Sequence, residues 1–398
     1  MAYAVPVMRE PAEMTPGERM EEVAIVGGGP AGSSAACLLA RAGRPVLLME
    51  RSAEPHHKVC GEFLSVEAQD YLARLGVDLD RLGASTISSV RIMCNRTVAG
   101  AALPFRARGL SRKSLDEALL RAAAESGARI ERGAPVRSIG PTRAGWRVDR
   151  STGDPFQASA LFLATGKHDL RGGKRVTTGA RNDMIGFKTH LVLAPAQRSA
   201  LEGTVEIVLF PGGYAGLQMV EGGLANLCLL VGRECFEGVG KRWDTLLEFI
   251  GNGSSPMASR LDGAAAVMPR PLAIFGIPYG FIHAPLPSEP ESLFRLGDQL
   301  AVTPSFTGDG MAIALHSGFM AASIYLRHGR ESAMYHREVR RHVRGQIRLA
   351  SVIHDAGRWP KGQPKLVRAF QVWPGALRSI AALTRLRPGA IQRALVPP

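Results

Sequence analysis

The stretch from Val23 to Glu50 constrains the fold more than any other. Val23-Ala24-Ile25-Val26 is a short apolar run that suits a buried strand, and it leads directly into Gly27-Gly28-Gly29-Pro30-Ala31-Gly32. A helix-like run from Ala31 to Ala42 follows, and a second apolar strand, Pro45 to Met49, ends in Glu50. Gly27, Gly29 and Gly32 form G-x-G-x-x-G, in which each glycine has a mechanical job. The first permits a tight turn, the second lets the backbone approach a pyrophosphate, and the third lets the helix pack closely on the strand. The helix N-terminus, opened by Pro30 and Ala31, offers unpaired N–H groups and a positive dipole end to that phosphate. Glu50 stands about 20 residues on, where an acid can bind a ribose hydroxyl. The unit predicts an α/β domain that binds a dinucleotide.

With 398 residues, 45% hydrophobic and 21% charged, the chain has room for two domains and a large core. Its five cysteines (Cys37, Cys60, Cys94, Cys228, Cys235) form no C-x-x-C, which argues against a disulfide framework or a zinc site. His56 and His57 read as surface loop residues, and no metal is expected there. Arg9, Glu10, Glu13 and Glu18 interrupt any signal-peptide core. No apolar run reaches the roughly 18 residues of a membrane span, so the expected location is cytoplasmic.

The net charge of +14 is unevenly placed. From Arg327 onward there are 15 Lys/Arg against three acids, Glu331, Glu338 and Asp355. This basic region suggests either an anionic membrane surface at which the protein is peripheral, an acidic carrier protein, or a solvated helical face. The basic residues are not interleaved with stacking aromatics, so nucleic acid is not an expected partner.

Along the chain, residues 1–20 read as a flexible tail. Residues 21–84, 105–180 and 286–330 read as a discontinuous nucleotide-binding domain. Residues 85–104 and 181–285, rich in glycine and alternating in polarity, read as an antiparallel-sheet domain for substrate. Residues 331–398 read as a basic helical region, broken at Pro360, Pro364, Pro374 and Pro388. Expected helices include Val66 to Leu75, N-capped by Ser65, then Leu115 to Ser126, and Met311 to Leu326.

Five separated segments carry a family resemblance: Gly27 to Gly32; Lys58-Val59-Cys60-Gly61-Glu62-Phe63-Leu64-Ser65; Ser111-Arg112; Ala164-Thr165-Gly166; and Gly297-Asp298 with Pro304-Ser305-Phe306-Thr307-Gly308-Asp309-Gly310. In this order they resemble the FAD-dependent oxidoreductases that include geranylgeranyl reductases and p-hydroxybenzoate-hydroxylase-like monooxygenases. The resemblance covers residues 22–330. It implies a Rossmann-like FAD-binding domain of glutathione-reductase type with an inserted antiparallel sheet. It also implies FAD as cofactor, with NADPH or NADH as electron donor bound without a second Rossmann domain.

The implied roles follow residue by residue. Gly27, Gly29, Pro30, Ala31 and Gly32 hold the pyrophosphate, and Glu50 and Arg51 lie at the adenosine ribose. Arg112 offsets phosphate charge. Val136, Thr165 and Gly166 complete the groove. Gly297 and Asp298 receive ribityl or ribose hydroxyls. After Pro304, the turn Thr307, Gly308, Asp309 and Gly310, which opens the helix from Met311, presents backbone N–H groups to the flavin edge, where negative charge develops on reduction. Lys58, Cys60 and Gly61 belong to a K-x-C-G-[EG] loop beside the flavin ring.

Cys60 is one candidate catalytic residue, because a thiolate next to a cation and near a helix start is stabilised. Tyr214 is the other. Pro211-Gly212-Gly213-Tyr214 resembles the start of the P-x-x-Y-x-W-x-F-P motif of prenyl reductases, but Gly216, Gln218 and Met219 replace its later residues. That departure points away from a long prenyl chain and toward a monooxygenase acting on a hydrophobic or aromatic small molecule, such as a polyketide. Two alternatives stay open: C=C reduction of a lipid or polyketide, and modification of a substrate tethered to an acidic carrier. The halogenase signature G-W-x-W-x-I-P is missing.

Overall fold

The computed structural model describes residues 20–177, 183–285 and 289–395. In chain order the first elements are β1 (Met20–Val26), α1 (Pro30–Arg41), β2 (Val46–Glu50), β3 (Phe63–Leu64), α2 (Val66–Leu75), β4 (Ser85–Cys94), β5 (Thr97–Gly109) and α3 (Arg112–Glu125). Then come β6 (Arg129–Arg132), β7 (Val136–Pro141), β8 (Trp146–Arg150), β9 (Phe156–Leu163), β10 (Met184–Val192), α4 (Pro195–Leu201), β11 (Gly203–Phe210), β12 (Gly213–Met219) and β13 (Ala225–Gly232). Next are α5 (Arg233–Gly238), α6 (Trp243–Asn252), α7 (Ser255–Leu261), β14 (Ala265–Ala266), β15 (Leu272–Phe275) and β16 (Leu293–Arg295). The chain closes with α8 (Gly310–His328), α9 (Ser332–Arg358), α10 (Gln363–Val372), α11 (Pro374–Leu383) and α12 (Pro388–Leu395).

Two sheets organise these elements. The first runs β6-β2-β1-β9-β8-β7, with β16 also paired to β9. Its centre is parallel: β1 lies between β2 and β9, and β16 adds parallel to Leu161–Leu163. Central parallel strands are covered on both faces, which explains the unbroken apolar runs that β1, β2 and β9 show in sequence. One cover is α1 with α8, which meet where a Cβ on Gly318 would lie 2.1 Å from Ser34 Oγ and 2.4 Å from the Ala31 carbonyl. Only glycine allows that approach.

The second sheet runs β14-β10-β13-β12-β11-β4-β5-β3, with β15 on β10. Its alternation splits the residues by face. Phe187, Ala215, Leu217, Leu227 and Leu229 form one core with Leu246, Ile250 and Met257 of α6 and α7. Ile92, Leu209, Tyr214 and Leu230 form another core with Val367, Phe370 and Leu377 of α10 and α11.

The expected fold class is observed: a mixed α/β nucleotide-binding unit, a second mostly antiparallel sheet, and C-terminal helices. The structure differs from the sequence reading in several details. Met20 already belongs to β1, while residues 1–19 of the expected tail lie outside the described residues. β5 continues to Gly109, past the expected boundary at 104, because its far end pairs with Phe63–Leu64. Those two residues therefore belong to the second sheet. The β4–β11 pair is parallel, so that sheet is mixed. The boundaries expected at 180/181 and 285/286 lie outside the described residues. The helix after Ser111 starts at Arg112, three residues earlier than its apolar periodicity suggested, because the Ser111 hydroxyl accepts from Ser114 N and caps it there. Ser65 precedes α2 as expected but makes no side-chain cap. Pro364, Pro374 and Pro388 open helices rather than break them, since a first-turn proline gives up no helical hydrogen bond.

Candidate functional site

The groove between the sheets is built around two helix N-termini, and the first is that of α1. Gly27 has φ 110°, and a Cβ there would fall 2.3 Å from the Ala164 carbonyl. On Gly32 a Cβ would lie 2.0 Å from the Gly27 carbonyl. The turn therefore closes only with glycine at both places. Gly29 is the N-cap and has no side chain to offer, so the first N–H groups of α1, which Pro30 and Ala31 open, point outward uncapped. Glu50 is buried at the end of β2 and accepts from Gly28 N at 2.9 Å and Ser52 N at 3.0 Å. Ala134 N donates to the Glu50 carbonyl at 3.1 Å, which brings the start of β7 and Val136 to the same end of the sheet. Arg51 is exposed and reaches His168 at 3.4 Å.

A cationic wall stands beside this turn. The position a Gly29 Cβ would take is 3.3 Å from Arg112 Nη2. Arg112 makes a two-pronged pair with Asp116, Nε–Oδ1 2.7 Å and Nη2–Oδ2 2.8 Å, and Lys58 Nζ joins Asp116 Oδ2 at 2.8 Å. Burial alone would raise the Asp116 carboxyl, but Arg112 and Lys58 outweigh it and hold it below its ordinary range. Two cations share one anion, so the trio keeps positive charge next to the uncapped helix end. The sequence reading missed Asp116, although its i,i+4 spacing from Arg112 was a usable signal.

The second N-terminus is that of α8. Gly297 (φ 57°) sits against α1, where a Cβ would be 3.2 Å from Ala31 Cβ, and its N–H donates to Ser317 Oγ at 2.9 Å. The neighbouring Asp298 carbonyl accepts from Arg175 Nη1 at 2.7 Å. Thr165 and Gly166 follow β9, and the Gly166 carbonyl accepts from Gln299 at 2.8 Å. The structure thus gathers the first, fourth and fifth sequence segments at one place. After Pro304 a short 3-10 turn, Ser305–Thr307, leads to Gly308 (φ 71°), which lies against the Phe63 ring. Gly310 and Met311 then open α8.

Asp309 is the N-cap residue of α8, but its side chain does not cap the helix. It is buried and pairs with Arg385 at 2.6 Å. Arg385 Nη2 also donates to the Thr307 carbonyl at 2.5 Å. Burial raises the Asp309 carboxyl to about 6 despite Arg385. Nothing in the local sequence pointed to Arg385, which arrives from about 75 residues further along the chain.

The Lys58–Glu62 loop closes the space between the sheets. Lys167 Nζ donates to the Val59 carbonyl at 3.0 Å, Asn226 Nδ2 to the carbonyls of Cys60 (3.2 Å) and Gly61 (2.9 Å), and Gln218 Nε2 to that of Glu62 (2.8 Å). Cys60 Sγ accepts from Glu62 N at 3.4 Å. Glu62 is fully buried with φ 58°. Its carboxylate accepts from Arg112 N (2.7 Å), from His190 Nε2 (2.7 Å) and from buried Lys188. His57 packs edge-on against His190, ring centroids 4.7 Å apart. His57 is therefore half-buried in an ionic cluster rather than on the surface, because the loop turns inward at Glu62. Burial first, then Lys188 and His190, lower His57 to about 4. His57, Glu62 and His190 stand close enough for a metal trio. However, the Lys188 ammonium and the α3 N–H already occupy Glu62, which makes the group an ion-pair network.

Tyr214 and Cys60 are not brought together as one pair: Tyr214 belongs to a core on one face of the second sheet, while Cys60 packs against the core that holds α1 and α8. Tyr214 lies edge-on to Phe306 (5.2 Å) and to His354 (5.8 Å), and His354 also meets Tyr279 (5.9 Å). The Tyr279 hydroxyl meets Ser305 Oγ at 3.3 Å, in the turn that leads to α8. Burial raises the Tyr214 hydroxyl well above its ordinary range, so it stays protonated at neutral pH.

Comparison with known proteins agrees with this geometry. Residues 20–163 match the family model described as FAD binding domain. The chain is 26% identical over 327 residues to the menaquinone reductase of Mycolicibacterium smegmatis, covering 76% of each protein. Among solved structures it resembles the flavin-dependent brominase Bmp2, with TM-score 0.73, 16% identity and coverage of 94% and 98% of the two chains. It also resembles a geranylgeranyl bacteriochlorophyll reductase-like protein of Thermoplasma acidophilum, with TM-score 0.68, 20% identity and coverage of 95% and 96%.

Proposed function

We propose that this chain, an FAD-dependent oxidoreductase, is a monooxygenase that hydroxylates a hydrophobic aromatic small molecule. The observation that carries the reading is the aromatic group of Tyr214, Tyr279, Phe306 and His354. It borders the turn before α8, to which Phe306 belongs and where Tyr279 meets Ser305 at 3.3 Å. Such rings favour a planar aromatic guest through edge-to-face contacts. The positions that line a prenyl groove in prenyl reductases are used here for other purposes: Gln218 holds the Glu62 carbonyl, and Met219 packs into the opposite core.

The residues fit FAD. Gly29 leaves the α1 N–H groups uncapped beside Arg112 and Lys58, which suits a pyrophosphate. The side chain that would cap α8 is turned away to Arg385, which leaves that helix end for an electron-rich ring edge. When bound, FAD supplies the electron transfer, drawing on NADPH or NADH. The protein's part is positioning and the exclusion of water. Arg112 and Lys58 anchor the phosphates, and Glu50 holds Gly28 in place while keeping lone pairs for a ribose. Tyr214 can donate a hydrogen bond to substrate oxygen but cannot serve as a base at neutral pH.

A second reading, reduction of a C=C bond, is favoured by the similarity to menaquinone reductase and by the Lys58–Glu62 loop. Cys60 would then give the proton. Substrate turnover with NADPH in air and under argon separates the two. Oxygen-dependent product carrying one oxygen atom from O2 supports hydroxylation. Product formed equally under argon and lost in Cys60→Ala supports reduction and overturns the first reading.

A further inference from the structure

The C-terminal helices carry a surface that neither reading uses. After Asp355 the chain has no acidic residue, yet it has eight basic ones: Arg358, Lys361, Lys365, Arg368, Arg378, Arg385, Arg387 and Arg393. Arg358 is neutralised by Asp183 and Arg385 by Asp309. On α10, Val367 and Phe370 are buried against the second sheet, while Lys365, Arg368, Ala369 and Val372 are exposed. Those four stand at i, i+3, i+4 and i+7 and share one face of the helix. On α11, Leu377 is buried while Arg378, Ser379, Ala382 and Leu383 face outward.

The same outward surface carries large apolar groups. Trp359 is 61% exposed, Val372 88%, Trp373 68% and Leu383 68%. Trp359 is also held in place, because its ring sits directly on Gly362 and its carbonyl accepts from Gly362 N at 2.9 Å. Exposed tryptophans at helix ends, set among Lys and Arg with no acid between them, are what a bilayer interface selects. The indole is amphipathic at headgroup depth, and the cations meet anionic headgroups.

We propose that the outer face of α10 and α11, with Trp359 and Trp373, docks this protein on an anionic lipid bilayer. Among the described residues no helix is long and apolar enough to cross a membrane, so the contact is peripheral. A second copy of the chain is a poor occupant, since a two-fold contact would set basic face on basic face. Docking this way puts the lipid directly behind Val367, Phe370 and Leu377, the residues that cover the sheet face beside Tyr214. A lipophilic substrate would then have a short path from the bilayer to the groove. The surface stands independently of whether the reaction is hydroxylation or reduction.

The test is co-sedimentation of the full-length holoprotein with phosphatidylcholine vesicles, with and without phosphatidylglycerol, at low and high salt. Soluble polyglutamate serves as a competing acidic probe. Binding should require phosphatidylglycerol and weaken with salt. Replacing Lys365 and Arg368 by Ala should weaken it about fivefold per residue. Trp359→Ala with Trp373→Ala should weaken it at least tenfold, at roughly the value of burying large apolar side chains. All four residues are exposed, so bound flavin and melting temperature should not change. The proposal is overturned by any of three results: no vesicle binding, equal binding to neutral vesicles, or unchanged binding in both double variants. Tight polyglutamate binding without vesicle binding also overturns it, and assigns the surface to an acidic protein.

Discussion

The two helix N-termini that frame the groove solve the same problem by different means. At α1 the turn itself is built within about 30 residues, with Arg112 added alongside from α3: glycines close the turn, Glu50 fixes Gly28, and the N-cap is bare because it is glycine. At α8 the N-cap is an aspartate whose carboxylate must be turned away, and Arg385 from the C-terminal region does that. The first site is set by local geometry. The second depends on a contact between distant parts of the chain, so any change that moves the C-terminal helices reaches it.

The largest effect should come from breaking the local site. Gly32→Ala puts a Cβ 2.0 Å from a backbone oxygen that cannot move aside. We expect loss of retained flavin, read by its visible absorbance, and destabilisation of more than about 4 kcal/mol in urea unfolding. Next is the distant site. Arg385→Met leaves the buried Asp309 charge alone and should cost about 3 kcal/mol, with looser flavin, and Arg385→Lys should restore part of both. Full flavin retention in Arg385→Met would show that α8 does not need its remote partner.

A pH series sharpens the contrast. Folding raises Asp309 from its ordinary value near 4 to about 6, so the folded state binds that proton more tightly than the unfolded chain. Its contribution is therefore fully present below about pH 4 and lost as pH rises to 6, with a total of about 2–3 kcal/mol. Subtracting Asp309→Asn stabilities from wild type at each pH isolates that slope, and a flat difference would contradict the assignment. The smallest effect is expected away from both sites: Lys241→Ala, which removes the exposed Glu237–Lys241 pair, should shift stability by less than about 0.5 kcal/mol.

The same contrast explains what could be read from sequence. The α1 site was legible because its parts are adjacent and its glycines have a unique geometric purpose. Gly297, Asp298 and the Thr307–Gly310 turn were legible through the family resemblance. Lys188, His190 and Arg385 were not, because nothing near them in sequence distinguishes a buried cation from a solvated one. Their partners are set by strand register and helix packing over more than 70 residues. His57 was misplaced for the same reason: the inward turn at Glu62 is driven by Lys188 and His190 on β10. Glu62 itself lies inside the Lys58–Ser65 segment, yet its role as the ionic hub between the two sheets appears only once those strands are in place.

The pairing of β16 with β9 has a consequence for how the chain is made. Leu161, Phe162 and Leu163 are synthesised about 130 residues before their partners Leu293–Arg295, a delay on the order of ten seconds at ribosomal speeds. During that interval a bare apolar strand edge is available for mispairing with other nascent chains. Overproduction at high temperature, which crowds such chains together, should therefore yield insoluble material. Slower synthesis at low temperature, or more chaperone in the host, should recover the coloured, flavin-loaded protein.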